Sequence, residues 1–154
     1  MTKSKYTSTS PEETKNIAKD LIKDLYTKEG RNHALVFALE GELGAGKTNF
    51  TQGIAEFLGI ERNVTSPTFV LVKKYNIADK VSGDKSARFY HLDCYRTQSP
   101  QEIMELDWED VVREKDNVVI VEWAEKIKDI IPKDAVWVTM KSRGENEREI
   151  VVSV

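Results

Sequence analysis

The chain has 154 residues, 23 of them basic and 26 acidic, for a formal net charge of −3. That length suffices for one domain with a proper core, and the acidic balance argues against a surface that clamps nucleic acid by its own charge. Cys94 is the one cysteine, which excludes an internal disulfide, and no apolar stretch approaches the ~18 residues of a membrane span. The lysines of the first six residues are not followed by an apolar region, so no signal peptide is expected and a cytoplasmic protein is the simple reading.

Residues 1–9 are polar and read as frayed or as a short edge strand. Ser10-Pro11-Glu12-Glu13 then predicts a helix start, with Ser10 as N-cap, Pro11 at the first helical position and Glu13 completing a capping box. Ile17, Leu21 and Leu25, with Ala18 and Ile22 beside them, form its apolar face to about Lys28, and Gly30 stops it. The run at 34–39 is apolar on both faces, which predicts a central strand covered by helices on each side. A loop follows, then a helix that turns Phe50, Ile54, Phe57 and Leu58 inward and ends at Gly59.

Residues 61–68 read as a loop leading into a strand over 69–72 that Tyr75 and Ile77 continue. The polar link 78–86, read as free of helix, predicts an antiparallel hairpin with a strand at 87–92. After an irregular stretch come short helices near 100–106 and 108–112, a buried strand at 118–121, and a helical turn at 126–131 stopped by Pro132. Residues 135–140 and 147–152 alternate as hairpin strands around Gly144. The expected fold is α/β, a three-layer P-loop NTPase-like arrangement. It is a mixed sheet with flanking helices and antiparallel hairpins, in one domain over residues 1–154.

The loop after the strand at 34–39 is Gly41-Glu42-Leu43-Gly44-Ala45-Gly46-Lys47-Thr48, a complete phosphate-binding G-x-x-x-x-G-K-T motif. Such a pattern arises by chance about once in 30,000 windows at average composition, and here it also has the strand before and the helix after that it needs. Glu42, Leu43, Gly44, Ala45, Gly46, Lys47, Thr48 and Asn49 are therefore the expected nucleotide-binding positions. Backbone N–H groups and the helix N-terminus cradle phosphates. Lys47 reaches the β/γ-phosphates, and the Thr48 hydroxyl holds Mg²⁺.

Hydrolysis also needs an acid near the metal and a group that positions water. Two apolar strands end in acid, at Asp93 and Glu122, and ligands of open α/β sheets bind beyond the carboxyl ends of strands. Either can be the metal-side acid beside Thr48. Asp93 can instead cap the loop that follows it. Glu122 can act on water as a base or by orientation. Thr68, in Ser66-Pro67-Thr68, is either a switch-loop threonine that senses Mg²⁺ and γ-phosphate or an ordinary turn residue. Arg96 can pair with Asp93, touch phosphate or stay at the surface. Trp123 can stack on the nucleotide or pack in a core or partner contact. His91 and Trp108 read as structural, and Cys94 as buried and inert.

No Asn-Lys-x-Asp guanine motif is present, and Asp93 is followed by Cys94-Tyr95-Arg96 rather than by D-x-x-G, so ATP is favoured over GTP. From residue 124 onward the arginines are only Arg143 and Arg148, too few for the Arg-rich lid of a small kinase. A kinase of nucleosides or small metabolites remains the alternative. A nucleotide-dependent binding module with incidental hydrolysis is another.

These pieces, taken together, resemble the TsaE family, small bacterial P-loop ATPases of tRNA threonylcarbamoyladenosine biosynthesis. The matching segments are Ser10-Pro11-Glu12-Glu13-Thr14, the phosphate loop, Val64-Thr65-Ser66-Pro67-Thr68-Phe69, His91-Leu92-Asp93-Cys94-Tyr95-Arg96 and Val121-Glu122-Trp123. The resemblance implies ATP and Mg²⁺ as cofactors. It implies Thr68 as the switch-loop threonine, Asp93 as the acid near Mg²⁺, Glu122 as the second catalytic acid, and Trp123 beside the nucleotide. Lys47, Thr68, Asp93 and Glu122 are then the catalytic set, with Thr48, Asp93 and Glu122 on the metal side. It also implies partners resembling TsaD and TsaB, with tRNA reached through that complex and no membrane. Two positions depart from the family pattern. Asn49 stands where a second threonine is common, and Ala124 where proline is frequent.

Overall fold

A computed structural model of the chain describes residues 2–42, 44–61, 64–65, 67 and 71–154. The expected strand residues Phe69 and Val70 and the candidates Leu43, Ser66 and Thr68 lie outside the described residues.

In chain order the elements are β1 (Lys3–Ser8), α1 (Pro11–Tyr26), β2 (Leu35–Gly41), α2 (Lys47–Phe57), β3 (Val72–Asn76), α3 (Asp79–Ser82), β4 (Arg88–Asp93), α4 (Gln101–Met104), α5 (Trp108–Arg113) and β5 (Val118–Glu122). A 3₁₀ helix (Ala124–Ile130), β6 (Val136–Ser142) and β7 (Arg148–Ser153) complete it. The described strands form one mixed sheet in the order β1-β7-β6-β2-β5-β4-β3. β2 runs parallel to both β5 and β6, and β4 parallel to β5. The pairs β1–β7, β6–β7 and β3–β4 are antiparallel. No described helix is long and apolar enough to cross a membrane.

The double-faced apolar run of β2 does what its composition requires. Leu35, Phe37 and Leu39 face one core with Ile22 of α1 and Phe50 and Ile54 of α2. Val36 and Ala38 face a second core with Val119, Val121, Ile103, Trp108 and Ile127. Each fully buried Phe, Leu or Ile there contributes about 1.5–3 kcal/mol, so β2 and β5 are the rigid centre from which the site is hung. Trp108 anchors α5 through its indole N–H, which donates to the Ile130 carbonyl at 3.0 Å.

The polar start resolves to an edge strand, because β1 pairs with β7 along its whole length. Helix α1 begins as expected. The Ser10 hydroxyl accepts the Glu13 N–H at 3.0 Å. The return half of the box falls one residue earlier than expected: the Glu13 carboxylate accepts both the N–H and the hydroxyl of Thr9, at 2.9 and 2.7 Å. Those two donors hold the Glu13 carboxyl below its ordinary range. Ser10→Ala removes one N-terminal acceptor and is expected to cost about 1 kcal/mol, read as a lower urea midpoint with unchanged slope.

Two expectations need correction. The link between β3 and β4 is not free of helix. It coils into the single turn α3, which seats Val81 against the first core. That burial, which polar composition hides, is why the link is not a plain loop. The described strand before it starts at Val72, one residue after a bend at Leu71, whose carbonyl accepts the Asp93 N–H at 3.1 Å.

Candidate active site

The carboxyl ends of the parallel strands open into a cavity of about 780 Å³. Its floor is the phosphate loop. Gly44 and Gly46 take φ of +79° and +99°, left-handed values that glycine adopts without steric cost. A side chain at Gly46 would also press on the Met140 side chain, 3.2 Å from the Cβ position. Gly46 caps α2 without any side-chain hydrogen bond, so the first N–H groups of α2 are not covered by a cap. Such a terminus favours an anion.

Lys47 is 6% exposed. Its ammonium donates to the Gly41 carbonyl at 2.5 Å and lies 4.0 Å from the centre of the Trp123 ring. Burial lowers its pKa, while Glu122, Glu125 and Asp93 pull the other way. A cation buried against a carbonyl and an aromatic ring is poorly hydrated, which favours its use as a receptor for phosphate charge.

The acids arrive from neighbouring strands in register. Asp93, the last residue of β4, pairs with Glu122, the last residue of β5. Both line the cavity. Asp93 also fulfils the turn-capping role, since its carboxylate accepts the Tyr95 N–H at 2.9 Å. Glu122 is 4% exposed, and its Oε2 lies 2.6 Å from Nε2 of His91. Trp123 then breaks the strand in a left-handed conformation, φ +58°. For a bulky residue this costs about 1–3 kcal/mol and concentrates at functional sites. The turn lays its ring between Lys47 and the half-exposed Tyr95, whose ring centre is 5.0 Å away.

Of the expected nucleotide positions, Gly44, Gly46, Lys47, Thr48, Asn49 and Trp123 line the cavity with Asp93, Glu122 and Arg96. Glu42 is exposed and Ala45 buried, and neither lines it. Their link is backbone to backbone, Ala45 N–H to Glu42 carbonyl at 3.1 Å, which shapes the loop. Thr48, Asp93 and Glu122 are hard oxygen donors of the kind Mg²⁺ takes. Among the described residues no three His, Cys, Asp or Glu side chains form a metal cage. Cys94 is buried and its thiol is pushed up to about 12 by burial, which makes it a poor nucleophile.

The model of the threonylcarbamoyl adenosine biosynthesis protein TsaE family matches residues 8–150. The chain belongs to the TsaE family. Its relatives include the tRNA threonylcarbamoyladenosine biosynthesis protein TsaE of Bacillus subtilis, 41% identical over 95% of this chain and 82% of the relative. The protein of the same name from Haemophilus influenzae is 36% identical over 82% and 72% of the two chains. A crystal structure of YdiB from Bacillus subtilis superposes with a TM-score of 0.68, at 34% identity, covering 98% of this chain and 84% of that one. The α/β fold expected from the sequence is therefore shared with that solved structure.

Three residues outside the expected site set support this TsaE-family site. His91, structural as expected, is buried and hydrogen-bonded to Glu122. Tyr95, within the family-like segment, forms one wall. Arg148 of β7 reaches back to the phosphate loop, where its Nε donates to the Gly44 carbonyl at 3.1 Å. Its Nη1 donates to the Gly144 and Glu147 carbonyls at 3.1 and 3.0 Å. Nothing local in the sequence ties Arg148 to a loop 104 residues away. Arg148→Ala leaves the Gly44 carbonyl without that donor. It is expected to weaken nucleotide binding by about 0.5–1.5 kcal/mol, the net worth of an ordinary hydrogen bond, measurable by titration calorimetry.

Proposed function

We propose that this TsaE-family chain is a cytoplasmic, Mg²⁺-dependent ATP hydrolase. It would support a TsaD–TsaB-like transferase in threonylcarbamoylation of tRNA adenosine 37. The observation that carries this reading is the convergence of Lys47, Asp93 and Glu122 on one cavity at the mouth of the phosphate loop. A nucleotide-binding module without hydrolysis has no need of a buried carboxylate there.

The residues divide the work. The phosphate-loop N–H groups and Lys47 bind the β/γ-phosphates and stabilise charge that develops as the γ-phosphoryl leaves. Thr48 and Asp93 are the groups that hold Mg²⁺. Mg²⁺ held there would supply neutralisation of the phosphate charge. Glu122 orients the attacking water or takes its proton. Trp123 covers Lys47 and excludes solvent on that side. Thr68 is the switch threonine that the family resemblance implies. The negative net charge fits a protein that reaches tRNA through its partners.

The test is ATP turnover by the purified chain alone, then with TsaD–TsaB and with tRNA. Free phosphate and strong stimulation by the partners are expected. Transfer of γ-phosphate to a small acceptor would establish the kinase instead. Indifference to the partners would sink the supporting role.

A further inference from the structure

We propose that His91 is a positioning residue for Glu122: its imidazole fixes the direction from which that carboxylate addresses the cavity. This rests on the ATPase reading above and extends it to a residue outside the catalytic set of Lys47, Thr68, Asp93 and Glu122.

The argument begins with register. Pairing of Asp93 with Glu122 places His91 opposite Ile120, one alternation back on the same face of the sheet as Glu122. His91 Nε2 and Glu122 Oε2 are 2.6 Å apart, with the side chains 1% and 5% exposed. A carboxylate accepts, so Nε2 carries the proton and donates. The imidazole is itself held, since its ring lies 16° from parallel to Phe89 with centres 6.4 Å apart. One glutamate oxygen is thereby tied to a buried ring packed beside Phe89, which restricts the directions the carboxylate can take.

The other ring nitrogen argues against packing alone as the reason for this histidine. Nδ1 is buried and has no hydrogen-bond partner among the described residues. Leaving a buried polar atom unsatisfied costs free energy, and an apolar residue stacked on Phe89 would avoid it. The imidazole at this position is explained by the one bond it makes, to Glu122. Orientation of an acid that acts on water is worth rate rather than affinity.

Two substitutions separate the roles. His91→Phe keeps a ring against Phe89 and removes the donor, whereas His91→Gln keeps an N–H of similar reach. His91→Phe is expected to lower kcat about 10–100-fold, as loss of an outer hydrogen-bond partner does for a functional ligand. KM for ATP and the Kd for ADP should stay near wild type, and His91→Gln should restore most of kcat. Wild-type kcat in His91→Phe overturns the proposal. So does an equal loss in both variants, or a loss of affinity that matches the loss of kcat. A readout independent of turnover is the ¹⁵N–¹H signal of the His91 imidazole. It should be exchange-protected in the wild type and lost in Glu122→Ala, and its absence in the wild type removes the hydrogen bond and the proposal. If the wild type hydrolyses no ATP even with partners while this signal is present, the contact stands but the ATPase reading fails, and the positioning role falls with it.

Discussion

Replacing Lys47 by alanine should lower ATP turnover or binding by about 10²–10³-fold, the usual effect of deleting one preorganised donor to developing phosphate charge. Among the described residues Lys47 contacts the Gly41 carbonyl and the Trp123 ring, and neither is an anion. Its charge is therefore only partly compensated, with Glu122, Glu125 and Asp93 acting from around it. Because its folded pKa lies below the ordinary lysine value, the folded state binds its proton less tightly than the unfolded chain. This contribution to stability rises with pH through the window below that ordinary value and is smallest at neutral pH. Loss of Lys47 removes a burial cost that is fully present at neutral pH, so thermal stability there should not fall while function collapses. A melting curve beside a turnover assay separates the two. Wild-type turnover in Lys47→Ala would show that the phosphate loop is not the working site.

That prediction needs only the motif, and the motif was legible because its determinants are local. Two glycines with positive φ, a lysine and a threonine lie within one turn after a strand. The central position of β2 was legible for a similar reason, since a run apolar on both faces has nowhere else to go. The C-terminal hairpin was also readable from alternation and a turn glycine, as was the acid at the end of β4 and of β5. The rest depends on register and distance. His91 and Glu122 lie 31 positions apart, and only the parallel pairing of β4 with β5 makes them neighbours. A histidine alternating with a tyrosine carries no local mark of that bond. The left-handed turn at Trp123 is equally hidden, because a bulky residue has no intrinsic reason to adopt it. Arg148 lies still further from its loop. The site is thus half motif and half tertiary consequence.

Gly53 shows how far local propensity can mislead, and Gly53→Ala should destabilise the fold. The residue sits inside α2, where alanine is favoured over glycine by about 1 kcal/mol. Propensity alone therefore predicts a stabilised protein. The packing predicts the reverse. A Cβ at position 53 would run into the Lys15 carbonyl oxygen and lie 2.9 Å from both the Ala18 Cβ and the Lys15 Cα of α1. Two of these three atoms are backbone, so no rotamer change relieves the contact. The helices must separate, at an overpacking cost of about 1–3 kcal/mol or more. Destabilisation should win, by on the order of 2 kcal/mol, and lower the melting temperature by about 4–8 °C for a chain of this size. Gly53→Val should cost more than Gly53→Ala. The consequence extends to the site. The N-terminus of α1, through Ser10 and Thr14, and that of α2, through Lys47 and Thr48, wall the same cavity. Pushing the helices apart at Gly53 should therefore also weaken nucleotide binding, although residue 53 does not line the cavity. A raised melting temperature in Gly53→Ala would mean that α1 yields easily, and the close α1–α2 contact would then not be what holds the two helix ends around the phosphate loop.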